Sequence, residues 1–226
     1  MKTYDLHVHT NHSLDSSCDI RRLANAARSK GLAGVAITDH GTIDGALEAK
    51  QALSKENLDI IVGEEIATNS GEIVGLFLKE AIRERDPNNV VRKIHDQGGL
   101  AVLAHPFRGR TPMDSVVRIV DAIEVFNSRS TRFMNAQALQ LANRHNKPMI
   151  AGSDAHFHPE LGLCTTSIKS RDIREAIVTG DTILTESSSS FFYTALSFLV
   201  RSLRENEPIS IPRKLKSSIL SRIDQV

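Results

Sequence analysis

Short apolar runs alternate with longer amphipathic stretches along most of the chain. Runs at 3–9, 34–39, 60–67, 72–78, 100–105, 122–127, 149–154, 164–169 and 182–185 predict nine strands. Between them, apolar residues recurring at helical spacing predict helices over 19–30, 43–54, 88–97, 113–120, 133–145 and 170–179. Start and stop signals agree. Asp19 can cap the first helix and Gly31 follows it; Pro87 precedes the third and Gly98–Gly99 end it, while Asp114 falls in the first turn of the next. This alternation argues for βαβ units and a parallel sheet. The nearly continuous apolar strands fit a sheet covered on both faces. A doubly wound sheet and a closed barrel satisfy the pattern equally.

The pattern changes near residue 187. Four serines at 187–190 are followed by an apolar segment, 191–203, that predicts one more helix. After Pro208 and Pro212 comes a basic stretch, 213–222, and Leu215, Ile219 and Ile223 recur there at helical spacing. We therefore divide the chain into a main domain, 1–186, and a helical extension, 187–226. The extension is expected to pack as a cap on the domain or to form a homo-oligomer contact. A basic patch for a membrane surface or nucleic acid is the second reading.

Composition narrows the function classes. In 226 residues, 28 Lys and Arg face 27 Asp and Glu, a formal charge of +1, so no bulk electrostatic footprint for nucleic acid exists. Nucleic acid is a possible partner but not the favoured one. Cys18 and Cys164 lack CxxC spacing and cannot form a disulfide framework. Asp5, His7 and His9 interrupt any apolar segment of a secretory signal. The longest apolar stretch, 191–200, is far short of the roughly 20 residues that span a bilayer. A cytoplasmic location without a membrane partner is expected.

The nine histidines change the picture most, because of where they fall. The first strand ends in Asp5-Leu6-His7-Val8-His9, where alternate residues share a face and two imidazoles can converge. The second ends in Thr38-Asp39-His40, the third in Gly63-Glu64-Glu65-Ile66, the fifth in Ala104-His105-Pro106 and the seventh in Ser153-Asp154-Ala155-His156. Five strands thus deliver a metal-capable side chain at their carboxyl ends, the edge where α/β proteins build their sites. A lone HxH is as often a pair of satisfied strand histidines. Five such endings together point to metal. Imidazole with carboxylate suits Zn, Mn or Fe, and the lack of a Cys ligand argues against a structural zinc knot.

With DLHVHTNHSLDS at 5–16, AITDHGT at 36–42, GEEIAT at 63–68, LAHP at 103–106 and GSDAH at 152–156, the sequence resembles the PHP (polymerase and histidinol phosphatase) superfamily of metal-dependent phosphoesterases. The resemblance covers residues 1–186. It implies a distorted (β/α)7 barrel, TIM-like in plan, with two to three divalent ions at the carboxyl end of the strands. By motif, a first ion falls to His7, His9, Glu65 and Asp154. A second shares Glu65 and takes His105, and a third takes Asp15, His40 and His156. Glu72 stands where many relatives have a histidine; it can replace that ligand or be an ordinary strand residue. Glu64, on the opposite face from Glu65, is expected to be salt-bridged or solvated.

The resemblance implies a phosphoesterase acting on a small phosphorylated metabolite or nucleotide. Nucleic-acid end processing and a non-catalytic regulatory module are the alternatives. Arg108, three residues after His105, is the foremost candidate to clamp phosphate, with Arg110, Arg129 and Arg132 behind it. Asp154 or a nearby histidine is the candidate proton carrier, with His158 and His12 close in sequence to ligands. Asn127, at the end of its strand, can contact substrate or cap the turn. His95 and His145, near the C-terminal ends of their helices, are expected to be structural or surface residues.

Overall fold

A computed structural model of the protein describes residues 1–205 apart from Arg171. The basic stretch at 213–222 lies outside the described residues. Nine strands form where the apolar runs lie: β1 (Lys2–Val8), β2 (Gly34–Ile37), β3 (Asp59–Thr68), β4 (Gly71–Leu76), β5 (Leu100–Leu103), β6 (Ala122–Asn127), β7 (Met149–Gly152), β8 (Thr165–Ile168) and β9 (Thr182–Thr185). The helices are α1 (Ile20–Ser29), α2 (Asp44–Ala52), α3 (Pro87–Asp96), α4 (Asp114–Ile119), α5 (Arg132–His145), α6 (Ile173–Thr179) and α7 (Phe191–Glu205). Asp19 caps α1 by accepting from the Arg22 N–H, and Asp86 caps α3 with Pro87 in its first turn.

The strands form one sheet in the order β7-β6-β5-β4-β3-β2-β1-β8-β9. It is mixed, which corrects the expectation of a parallel sheet. β4 runs antiparallel to both β3 and β5, and β8 and β9 are antiparallel additions beyond β1. The physical reason at β4 is connection length. Only Asn69 and Ser70 separate it from β3, which makes a hairpin and leaves no room for a crossover helix. The first residues of β4 therefore lie on the same rim as the carboxyl ends of β3 and β5.

Seven strands curl into a nearly closed barrel, which settles the choice against a doubly wound sheet. Beyond β7 the chain meets the end of β1, the Asp154 N–H donating to the His7 carbonyl at 2.7 Å and the His9 N–H to the Ala155 carbonyl at 2.9 Å. Lower down, the Thr166 hydroxyl bridges the gap between β7 and β8, accepting from the Ala151 N–H and donating to its carbonyl. Gly152 permits the closure. A Cβ there would fall 2.8 Å from the His7 nitrogen and 3.0 Å from a Glu124 carboxylate oxygen.

Alternate strand residues feed two apolar layers. Val35, Ile37, Val62, Ile73, Leu103 and Ile123 pack outward against α1 to α5. Ala36, Ile61, Val74, Val102, Ala122 and Ile150 fill a second cluster, joined by Ile173, Ala176 and Ile177 of α6. Glu65 follows Ile61 at even spacing, and Glu124 follows Ala122, so both carboxylates share the face of the second cluster. No helix among the described residues is long and apolar enough to cross a membrane.

Candidate metal centre

At the rim of the barrel the expected side chains meet. His7, His9, Glu65 and Asp154 each offer one ligand atom, all within 4.8 Å of one another. Glu65 sits at the middle of a wider cluster: its Oε2 lies 3.2 Å from His9 Nε2 and 3.1 Å from His40 Nδ1, and its Oε1 lies 2.8 Å from His105 Nε2. Asp15 faces His40 and His156 across 3.5 and 3.3 Å. Glu72, at the start of β4, comes to 3.7 Å from His105. His105 and Asp154 hold positive φ angles of 25° and 56°. Such backbone costs about 1–3 kcal/mol and survives because barrel closure fixes the chain there.

Buried partners fix which nitrogen of each ring is free. His7 Nδ1 lies 2.9 Å from Glu124 Oε1, and an ionised carboxylate only accepts, so the ring proton belongs on Nδ1. The other Glu124 oxygen accepts from the His105 N–H and the Asn127 amide. His9 Nδ1 meets Ser13 Oγ at 3.1 Å, and that hydroxyl donates onward to Asp39. His156 Nδ1 donates to the Asp154 carbonyl. Each Nε2 is left with its lone pair facing the cluster. Nε2 of His7 and of His9 is buried and has no hydrogen-bond partner among the described residues, as has Oδ1 of Asp15. Buried polar atoms are rarely left so. Unpaired imidazole lone pairs converging with carboxylate oxygens form a donor set that fits divalent ions, each ring held by a second partner.

The electrostatics agree. Burial disfavours ionisation of Glu65, yet His7, His40 and His105 hold it well below the usual carboxylate range. Asp154 is likewise held down against burial by Arg108 and His7. Burial opposes charge on His7 too, but Glu124, Asp154 and Glu65 outweigh it and raise its affinity for a proton well above normal. The cluster is built to concentrate positive charge. Beneath it, Asp5 accepts from Ser153, Gly162 and His7, and its burial pushes the carboxyl up to about 6.

Above the cluster opens a cavity of about 270 Å³. Asp15, His40, Glu65, His105 and Asp154 form its floor, and Thr194, Ser197, Phe198 and Arg201 of α7 line it too. Arg108 enters this space, one terminal nitrogen 2.6 Å from Asp154, while its buried Nε has no partner among the described residues.

A family model described as PHP domain matches residues 5–184. The chain belongs to the PHP domain family. Two proteins of Methanocaldococcus jannaschii are similar to this PHP domain. Uncharacterized protein MJ1587 is 38% identical over 138 residues, which are 55% of this chain and 81% of that protein. Uncharacterized protein MJ0417 is 37% identical over 172 residues, 70% of this chain and 67% of that one. Among solved structures, a two-domain protein from Bacteroides vulgatus containing a predicted PHP-like metal-dependent phosphoesterase superposes with a TM-score of 0.70 at 19% identity, covering 82% of this chain and 65% of that one. The nearly closed barrel is thus the fold of the PHP domain.

Not every expected residue reaches the PHP site. The short 3₁₀ turn His158–Glu160 carries His158 away, so that its Nε2 meets the Asp19 carbonyl at 3.0 Å, outside the cavity. The expected catalytic place of His158 at the cavity is therefore not where this geometry puts it. His12 pairs with Glu48 on the surface. Arg129 is committed to the buried Glu160 and to α7, Arg110 reaches the Asn69 carbonyl beside a neighbouring recess, and Arg132 is exposed on α5. His95 and His145 pair with Asp121 and Asp114 on the surface. Glu64 does face away from Glu65, but it is neither solvated nor salt-bridged. Fully buried, it accepts the Ile82 N–H, and burial pushes its carboxyl up to about 7.

Three participants were missed in the sequence: Glu124, Asp39 and Asp5. Their signal was present, a carboxylate inside or ending an otherwise apolar strand. Asp5 and Asp39 lie inside the quoted motifs but were passed over for the histidines beside them, and Glu124 lies outside every motif.

Proposed function

We propose that this protein hydrolyses a phosphoester of a small metabolite or nucleotide at a site of two to three divalent ions, Zn, Mn or Fe. The carrying observation is the convergence of two buried imidazole nitrogens that make no hydrogen bond among the described residues, His7 Nε2 and His9 Nε2, on the carboxylates of Glu65 and Asp154 under an open cavity. His7, His9, Glu65 and Asp154 would hold one ion; Glu65 and His105, with Glu72 at 3.7 Å, a second; Asp15, His40 and His156 a third. Bound there, the ions would supply Lewis-acid polarisation of the phosphoryl group and water acidified towards neutral pH.

The chain's own residues do the rest. Arg108 stays charged because Asp154 outweighs the cost of its burial, and its unspent Nε–H is available to a phosphoryl oxygen. Asp154, held ionised by Arg108 and the imidazoles, is placed to take up a proton or to orient the attacking water. A cavity of about 270 Å³ lies just below the range of about 300–1,000 Å³ typical of small-molecule sites, which favours a compact substrate over a polymer.

Protein purified without chelator is expected to contain two to three equivalents of metal by elemental analysis. It should hydrolyse a generic aryl phosphate, lose that activity on chelation and regain it with Mn²⁺ or Zn²⁺. Less than one equivalent, with no gain from added metal, overturns the reading.

A further inference from the structure

We propose that α7 is the specificity wall of this site, and that Phe198 selects phosphoesters whose leaving group presents a ring face beside the phosphate. The inference rests on the phosphoesterase reading and names its substrate class. Thr194, Ser197, Phe198 and Arg201 follow the three-and-four spacing of one helical stripe, and all four line the cavity above the metal cluster.

α7 is not held there by a broad apolar seam. Only Ser197 of the whole helix is buried. Instead polar anchors fix it to the loops that carry the ligands. Arg129 donates to the Tyr193 carbonyl at 3.1 Å and to Ser197 Oγ at 2.7 Å. The same guanidinium is fixed by Glu160, a fully buried carboxylate that also accepts from the His156 and Phe157 backbone. The Tyr193 ring lies 5.6 Å from that of Phe157, tilted by 31°, and Phe157 is next in sequence to the proposed ligand His156. At the far end, Arg204 donates to the carbonyl of Ser13, whose hydroxyl positions His9. Helix and ligand loops are thus placed by shared groups.

Against this frame, Phe198 stands out. Phe191, Phe192 and Phe198 of α7 are all partly exposed, but of the three only Phe198, 41% exposed, lines the cavity. A ring offered to a cavity of this size stacks with another ring or an apolar group at favourable geometry. Polar Thr194 and Ser197 on the same stripe leave that surface narrow, so one ring fits the chemistry better than a long acyl chain.

The test uses phosphonates, which bind without being cleaved. Metal-loaded full-length protein is titrated with phenylphosphonate and with methylphosphonate, in the parent and in Phe198→Ala and Phe198→Leu, with metal content measured for each. The parent should prefer the phenyl compound by roughly tenfold, in line with stacking contributions of an aromatic pair. Phe198→Ala should abolish most of that preference, and Phe198→Leu should keep only part of it, each with the parent's metal content. Equal binding of the two phosphonates by the parent, or a phenyl preference that survives in Phe198→Ala, overturns the role of α7 while leaving the phosphoesterase reading intact. Binding of neither phosphonate by fully metal-loaded parent overturns both.

Discussion

Replacing Glu124 with Gln should damage metal binding although Glu124 is not among the residues assigned to an ion. Its carboxylate accepts three hydrogen bonds, from His7 Nδ1, the His105 N–H and the Asn127 amide. A glutamine of the same shape has one accepting oxygen and one donating NH₂. If the oxygen stays on His105 and Asn127, the NH₂ faces His7 Nδ1 and forces the ring proton onto Nε2, where the lone pair for the ion is needed. If the amide turns over, its NH₂ opposes the His105 N–H and leaves a buried backbone donor unsatisfied. An unmet buried group costs about 1–3 kcal/mol, and loss of a residue that orients a ligand costs about 10–100-fold in metal affinity. The first arrangement therefore shows as weaker metal binding, the second as a less stable metal-free protein. Competition against a chromophoric chelator measures the former, and thermal unfolding without metal measures the latter. A Glu124→Gln protein matching its parent in both would refute the tautomer argument. Loss of one whole equivalent at saturating metal would instead make Glu124 a ligand.

The remaining predictions concern the site and its surroundings. Glu65→Gln should abolish most hydrolysis and lower metal content, whereas Glu64→Gln, which still accepts the Ile82 N–H and sits near its protonated form at neutral pH, should retain both; equal losses on a phosphatase assay would contradict the register. Arg108→Ala should keep its metals and lose roughly tenfold to a hundredfold in kcat/KM, the equivalent of a charge-assisted contact of about 1.5–3 kcal/mol, with Arg108→Lys recovering only part. Cys18 and Cys164 are buried and their thiols are pushed up, that of Cys164 to about 12, so the folded protein holds little thiolate at pH 8; a colorimetric thiol reagent should find neither until the chain is unfolded, when both react.

How much of this was legible in the sequence depends on which physical signal carried it. Strands and helices were readable because apolar spacing and caps are local, and Asp19 and Asp86–Pro87 stand where the helices begin. The convergence of histidines and carboxylates was readable because strand ends share a rim whatever the connectivity. The barrel closure was not, since it rests on contacts such as Asp154 with His7 that are 147 residues apart. Nor was the direction of β4, although the two-residue gap at Asn69–Ser70 carried it. His158 looked near the site because sequence adjacency to His156 says nothing of a 3₁₀ turn that takes the side chain to the Asp19 carbonyl. Glu124 escaped because its role depends on facing His7 from another strand. The extension was expected as a cap; that α7 lines the cavity follows from Arg129 and Arg204, whose partners no spacing reveals.

The route by which β1 meets the residues after β7 also bears on how the protein is born. His7 and His9 leave the ribosome first among the ligands, and Asp154 and His156 last, after nearly all of the barrel. Until then the nascent chain carries His7, His9, Asp15, His40, Glu65 and His105 without the segment that joins its edge. A bound ion would draw the first strand and the last together across some 150 residues, and the entropy of closing so long a loop is the disorder it must overcome. A centre drawing on both groups would therefore be completed only late in synthesis, and ions bound there would act as a clasp across the seam of the ring.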